Sequence, residues 1–389
     1  MVMDRDPKEL LRRVLDLAGE VLDAHRIELA KRRQGDMFAW RDSDYVPMVF
    51  AVEVEALADL GDFDRAEQFA EPAASLYMQM KGVVQAAASG SDYVPTVRAD
   101  TGVINGPSIL GAPYAIPAHT KPVCTGHVPK EQLAEFQVPE DISDSGVMPV
   151  MVEHTQHHLS ALREADLGDL VGVRHCDTQG PFDIAAQARG HDELFLDLHT
   201  DPDFVHELMG KCVAIYHRMN FLCKSLAGEP IDHGYANEYW MDSGSVRLCD
   251  DSGILISAEQ FETFCEPYIR RAFAPFGGGW LHYCGGVPSG DRPEGLHLHH
   301  IYCRIDGLRG LNFTTGKDWP AEVRKVIERE VTYIGTLPRG EGEGLADYFR
   351  RVLALCPPRR GMIFSPQLRP GEHAEAMDTW HRLQDELWD

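Results

Sequence analysis

Apolar positions recur along this chain with two different periods, and the change of period falls near residue 90. Before it, Leu10, Leu11, Val14, Leu15 and Leu17 are spaced as on one face of a helix. A second helical run covers 66–87 and is interrupted at Pro72, which has no backbone N–H to donate. Between the two, AWRDSDYVPMVFAVEV reads as extended. After Gly90, short β-rich runs alternate with helical stretches and turn residues, which predicts strands at 93–99, 170–176, 245–249, 280–284, 308–313, 331–336 and 361–364. Helix starts are marked as well. Thr200 and Asp201 precede Pro202, after which Phe204, Val205, Leu208, Met209, Cys212, Val213 and Tyr216 share a face. Ser257 and Gln260 form a capping-box pattern, and a terminal helix starting near Pro370 carries Met377, Trp380 and Leu383.

Strand–helix alternation over about 290 residues is the size of a single α/β barrel. The expected architecture is therefore a (β/α)8 TIM barrel over 91–389, with residues 1–90 as a helical N-terminal extension packed on it. A doubly wound sheet is the alternative, but no glycine-rich phosphate loop of the dinucleotide or Walker type sits at a strand-to-helix junction.

Composition narrows the function classes. With 44% apolar and 25% charged residues over 389 positions, the chain is that of a soluble globular protein. Asp plus Glu is 61 against 37 for Lys plus Arg, a net charge of −24, so neither nucleic acid nor an anionic membrane surface finds the excess of cations it needs. No run approaches the roughly 20 apolar residues of a bilayer span, and the charged N-terminus does not read as a secretory signal. Nine scattered cysteines without a C-x-x-C pair suggest reduced thiols and a cytoplasmic location. The runs HTQHH (154–158) and HLHH (297–300) read as solvated helical faces, and no G-x-S-x-G elbow supports a serine hydrolase.

Five segments carry candidate chemistry. In GGGWLHYCGG (277–286) the period of two puts Trp280, His282 and Cys284 on one face of a strand, with the Cα atoms of His282 and Cys284 about 6 to 7 Å apart. An imidazole and a thiolate at that separation are able to converge on one zinc ion. In RLCDDSGILIS (247–257), Asp250 and Asp251 end a strand, where carboxylates serve as metal ligands, as acid/base groups, or as simple turn caps. CDTQGPFDIAAQARG (176–190) places Asp177 and Gln179 just past a strand, next to Arg174, and YVPTVRADTG does the same for Arg98 and Asp100. HGYANEYWMDSG (233–244) brings Glu238 and Trp240 into one polar and aromatic loop that either lines a pocket or covers the rim.

Taken in order over about residues 36 to 389, these blocks resemble the uroporphyrinogen decarboxylase-like superfamily. GPFDIAAQARGHDELFLDLHTDPDFVHELM is similar to the family's strand-turn-helix block, DDSGILISAEQFETFCEPYIRRAF to its strand-end acid and following helix, and HYCGG to the H-x-C-G element of its zinc-dependent cobalamin methyltransferases. The resemblance implies zinc held by His282 and Cys284. The family's later cysteine is replaced here by Ser365-Pro366-Gln367, so Asp251 or Glu238 completes the set. It also implies a methyl transfer between a corrinoid, carried as cobalamin on a partner protein, and a small thiol acceptor, with Asp250 or Asp251 as third ligand or acid/base group. The decarboxylase branch implies a metal-independent lyase acting on a small carboxylated substrate, with Asp100 or Asp177 as the acid and Arg98 or Arg174 as carboxylate anchor. That branch's arginine-rich R-Q-A-G-R-Y element is absent, which removes the obvious partners of a tetrapyrrole. A non-catalytic ligand-binding barrel is the remaining reading.

Overall fold

Elements begin and end at the caps that the sequence supplies. The computed structural model describes residues 6–284, 296–313 and 319–389. Helices Pro7–Val21 and Ala24–Phe38 open on Asp6 and Asp23, whose carboxylates accept from the N–H groups of Lys8 and Arg26 at 3.0 Å. Pro72 sits in the first turn of helix Pro72–Ala88, where its missing N–H costs nothing. Asp201 caps the long helix Pro202–Ala227, and the Ser257–Gln260 box caps Ala258–Phe264 with both reciprocal bonds present.

The strands are β1 (Thr96–Val97), β2 (Tyr114–Ala115), β3 (Val123–Cys124), β4 (Gly172–Val173), β5 (Gly234–Ala236), β6 (Tyr239–Met241), β7 (Val246–Cys249), β8 (Gly279–Tyr283), β9 (Leu308–Phe313), β10 (Thr332–Gly335) and β11 (Met362–Phe364). β7 to β11 form a parallel five-stranded sheet in the order 11-10-9-8-7, β1 and β4 form a separate parallel pair, and β2–β3 and β5–β6 are antiparallel hairpins. The extended stretch expected inside residues 1–90 reaches the sheet, since Met48 bridges Phe364 in parallel and accepts at its carbonyl from the N–H of Asp92 at 2.9 Å. The fold is thus mixed α/β with a parallel sheet. Closure into an eight-stranded barrel is the finer expectation; among the described residues no ladder joins β4 to β7.

The sheet's two faces bury different partners. Leu248, Leu281, Tyr283, Leu311 and Phe313 point into the main core with Phe261 and Tyr302. Trp280, Ile334 and Ile363 point the other way, onto Phe38, Tyr239 and Met241. A third cluster joins helices Pro7–Val21 and Pro72–Ala88 to Val97 and Val173 at the β1–β4 pair. Each fully buried large apolar side chain contributes about 1.5–3 kcal/mol relative to exposure. No described helix is long and apolar enough to cross a membrane.

The histidine runs depart in part from the solvated faces expected of them: His297 and His300 are exposed, whereas His154, His158 and His299 are buried. On helix Met148–Glu164 the buried stripe is Met148, Met151, His154, Thr155, His158 and Leu162, so the helical period itself turns His154 and His158 inward. His299 is buried too, with Nδ1 at 2.8 Å from Glu322 Oε2 and Nε2 against the Tyr283 hydroxyl.

Candidate metal centre and arginine cleft

The parallel register aligns Cys249 with His282 and His282 with Asn312 across β7, β8 and β9. Alternation then puts Arg247, Cys249 and Asp251 on one face of β7, and Trp280, His282 and Cys284 on the same face of β8. At the C-terminal ends of these strands His282 Nε2 lies 3.1 Å from Cys284 Sγ and 3.8 Å from an Asp251 oxygen, and Cys249 Sγ lies 3.1 Å from the other Asp251 oxygen. One ligand atom each from Cys249, Asp251 and His282 falls within 4.8 Å of the others. A tetrahedral zinc, with bonds of about 2.0 Å to nitrogen or oxygen and 2.3 Å to sulfur, sets its ligand atoms about 3.5 Å apart. The spacings bracket that value, and two sulfurs, one nitrogen and one carboxylate oxygen are an ordinary zinc donor set.

Neighbours fix the donors in place. Asn312 Nδ2 donates to the Ile334 carbonyl at 2.6 Å, which turns its Oδ1 towards His282 Nδ1. The proton of the neutral imidazole therefore resides on Nδ1, and the lone pair of Nε2 faces the sulfur and carboxylate. Burial, and then the Arg247 charge, push the His282 pKa down, so the ring is in the neutral form that binds a cation. Burial and the Asp251 charge push the Cys284 thiol up to about 11, and burial pushes the Cys249 thiol well above its usual range. The Asp251 carboxylate accepts from the Cys284 N–H at 2.6 Å. Behind it, buried Asp183 accepts from the N–H groups of Asp251 and Ser252 at 3.0 and 2.7 Å and so holds the turn after β7; burial and the Asp251 charge raise its pKa. Gly180 lets the loop after β4 reach this turn, because a Cβ there would sit 2.2 Å from the Cys249 carbonyl oxygen.

A second group of charges continues from Arg247. Its guanidinium lies 3.1 Å from Asp177, which lies 3.6 Å from Arg98, which in turn pairs with Asp100 at 3.0 Å. Asp100 also meets Arg65 at 3.4 Å. Burial raises the carboxyl pKa of Asp100, but Arg98, Lys121 and Arg65 outweigh it and the net shift is down. Asp177 follows the same pattern, burial opposed by Arg247 and Arg98, with a donated bond from Gln179 Nε2 at 2.6 Å. Both carboxylates are ionised partners of arginines. Gln179 holds a left-handed backbone, φ 53°, which for a non-glycine residue stores roughly 1–3 kcal/mol of strain. Arg65, Gln68, Gln79, Arg98, Asp100 and Arg174 line a cleft of about 520 Å³.

The other expected residues are dispersed. Asp250 turns away from Asp251 into the core, where it accepts from the Tyr302 hydroxyl at 2.9 Å. Glu238 lies at the tip of the β5–β6 hairpin, half-buried, and its charge is felt by Arg174, Arg98 and Arg247. Trp240 packs against helix Ala24–Phe38 instead of the cleft, with Lys31 5.0 Å from its ring and Gln34 accepting from its backbone N–H. Gly285 and Gly286 of the HYCGG block lie outside the described residues. Sequence reasoning passed over Cys249, Arg247, Asp183 and Asn312. The first two were within reach, because the alternation applied to β8 also puts Arg247 and Cys249 on the Asp251 face of β7. Asp183, on helix Pro181–Arg189, and Asn312, on β9, act on segments remote in sequence and carry no local signal.

No family model and no curated protein sequence matches this chain. Among solved structures it is similar to a methyltransferase from Methanosarcina mazei, with a TM-score of 0.63 and 14% sequence identity over 92% of this chain and 99% of that one. The likeness is one of fold.

Proposed function

We propose that this chain is a zinc-dependent methyltransferase in which Cys249, Asp251, His282 and Cys284 hold the metal, and that it moves a methyl group between a corrinoid on a partner protein and a small thiol. The observation that carries the reading is the convergence of Cys249, Asp251 and His282, with Cys284 Sγ 3.1 Å from His282 Nε2, at the C-terminal ends of β7 and β8, the end of a parallel sheet where active sites lie. The solved methyltransferase of similar fold supports it, and so does the likeness of HYCGG to a zinc-binding element. When bound, zinc supplies positive charge that lowers the pKa of an acceptor thiol towards neutrality. The protein's part is positional. Asn312 keeps Nε2 of His282 unprotonated, Asp183 holds the Asp251 turn, and Asp251 fixes the backbone of Cys284. On this reading β7, rather than the last strand, supplies a cysteine, and the parallel strands with the Met48 segment belong to a barrel distorted between β4 and β7.

The lyase alternative has less support, since its two candidate acids, Asp100 and Asp177, are both paired with arginines. Metal analysis of the purified protein beside a Cys249→Ser/His282→Ala variant tests the proposal, together with methyl transfer from methylcobalamin to a thiol, followed by the corrinoid absorbance. About one zinc per chain in the wild type, lost with activity in the variant, is expected. Equally little zinc in both proteins overturns the reading.

A further inference from the structure

Arg174 is the one arginine of the cleft's charge chain whose charge the protein does not pair, among the described residues. Arg98 has Asp100 and Asp177, Arg247 has Asp177, and Arg65 has Asp100. Arg174 makes two side-chain hydrogen bonds, both to neutral groups: Nε donates to Thr96 Oγ1 at 3.1 Å and a terminal nitrogen donates to Asn237 Oδ1. A guanidinium has five N–H donors, so donors remain. No described carboxylate lies within ion-pair distance of it, although the charges of Glu238, Tyr93 and Asp100 pull its pKa up. Burial and the Arg98 charge outweigh them and bring it down to about 10. Charged groups held away from water are normally paired.

The surroundings hold this arginine in place and leave its free side open. Thr96 sits on the neighbouring β1, and Asn237, at the turn of the β5–β6 hairpin with φ 57°, donates its N–H to His175 Nε2 at 3.0 Å. The half-buried guanidinium lines the 520 Å³ cleft with Arg98, Arg65 and His119. The Arg98–Asp177–Arg247 chain connects that cleft to the face of β7 that carries Cys249 and Asp251.

We infer that the cleft binds the carboxylate of a small-molecule substrate, with Arg174 as its bidentate anchor and Arg65 at the rim. A planar carboxylate matches the guanidinium fork and supplies the missing negative charge. The inference deepens the methyltransferase reading by giving its small substrate an acidic group some distance from the reacting methyl or sulfur. Its test reads binding alone, in chelator-treated as well as untreated protein, so failure of the zinc site leaves it standing and separately measurable.

Thermal unfolding is followed while acetate replaces chloride at constant ionic strength, with sulfate in parallel. Wild-type protein is expected to show a saturable acetate-dependent rise in Tm, as for any ligand that binds only the folded state. Arg174→Met is expected to lose acetate affinity at least tenfold while its own Tm without acetate is no lower than wild type, because an unpaired charge has been removed. Arg65→Gln, a change at a half-buried rim position, is expected to weaken acetate binding severalfold and leave the fold intact. No saturable acetate response in the wild type, an undiminished response in Arg174→Met, or a response to sulfate without one to acetate each overturns the assignment. A marked loss of Tm in Arg174→Met makes Arg174 a structural group and overturns it also.

Discussion

Replacing His158 by Leu removes a histidine whose two ring nitrogens are buried with no partner in good hydrogen-bond geometry, the Pro72 carbonyl being the polar group that acts on the ring. The ring lies on the inward stripe of helix Met148–Glu164, and the rings of His154 and His157 are each 6.0 Å away. Burial first, then the two neighbouring histidines, push its pKa down to about 3, against the pull of the Pro72 carbonyl. An unfolded chain has an ordinary histidine, with a pKa of about 6.5. Between these two values the unfolded state binds more protons than the folded one, so stability rises with pH. The contribution is present above pH 6.5 and is lost as pH falls towards 3. At pH 5.5, one unit below the unfolded value, protonation of the unfolded state costs the wild type about 1.4 kcal/mol at this residue, and at pH 4.5 about 2.7 kcal/mol. Leucine carries no such term. Removing two unsatisfied nitrogens also gains about 1 kcal/mol or more at any pH, partly offset by the change of shape. Urea unfolding of both proteins at pH 7.5 and 5.5, followed by circular dichroism, is expected to show the variant gaining on wild type by about 1.4 kcal/mol between the two conditions. A difference that does not change with pH refutes the account, since it means that His158 titrates alike in both states.

Three further substitutions probe the site and its supports. Asn312→Leu frees the imidazole of His282 to rotate and change tautomer, and should lower zinc affinity about 10- to 100-fold in competition with a chromogenic chelator, the usual cost of losing such a partner; unchanged affinity removes Asn312 from the site. Tyr302→Phe leaves buried Asp250 without its hydroxyl donor and should cost about 1–3 kcal/mol in urea unfolding, with the zinc content of the folded protein unchanged. Gly180→Ala places a methyl group 2.2 Å from the Cys249 carbonyl oxygen; thermal unfolding should show a loss of about 1–3 kcal/mol from the forced backbone shift, and a neutral result means that the loop and β7 are not in contact.

Much of this molecule is legible along the chain because its causes are local. Asp6, Asp23, Asp201 and Ser257 cap helices by reaching two or three residues ahead, a distance that sequence alone fixes. Period-two alternation puts His282 and Cys284 on one face of β8 wherever β8 lies. The same rule, carried to β7, separates Asp251 from Asp250, one at the donor cluster and the other under Tyr302.

What depended on register and depth was decided only by the assembled structure. The pairing of Cys249 with His282 and Asn312 comes from residues at least 30 positions apart in sequence on strands that happen to be adjacent and in step, and no local pattern encodes that offset. The inward turn of His154 and His158 required knowing which face of a polar-looking helix meets helix Pro72–Ala88. Sequence placed Arg98 and Arg174 near strand ends, but whether each charge is paired is a property of what lies across the cleft. The sequence thus determined the elements and the side chains each one offers, through short-range hydrogen bonding and periodicity. The tertiary structure decided which donors meet and which charge is left without a partner, because ligand geometry and desolvation depend on distances between segments remote along the chain.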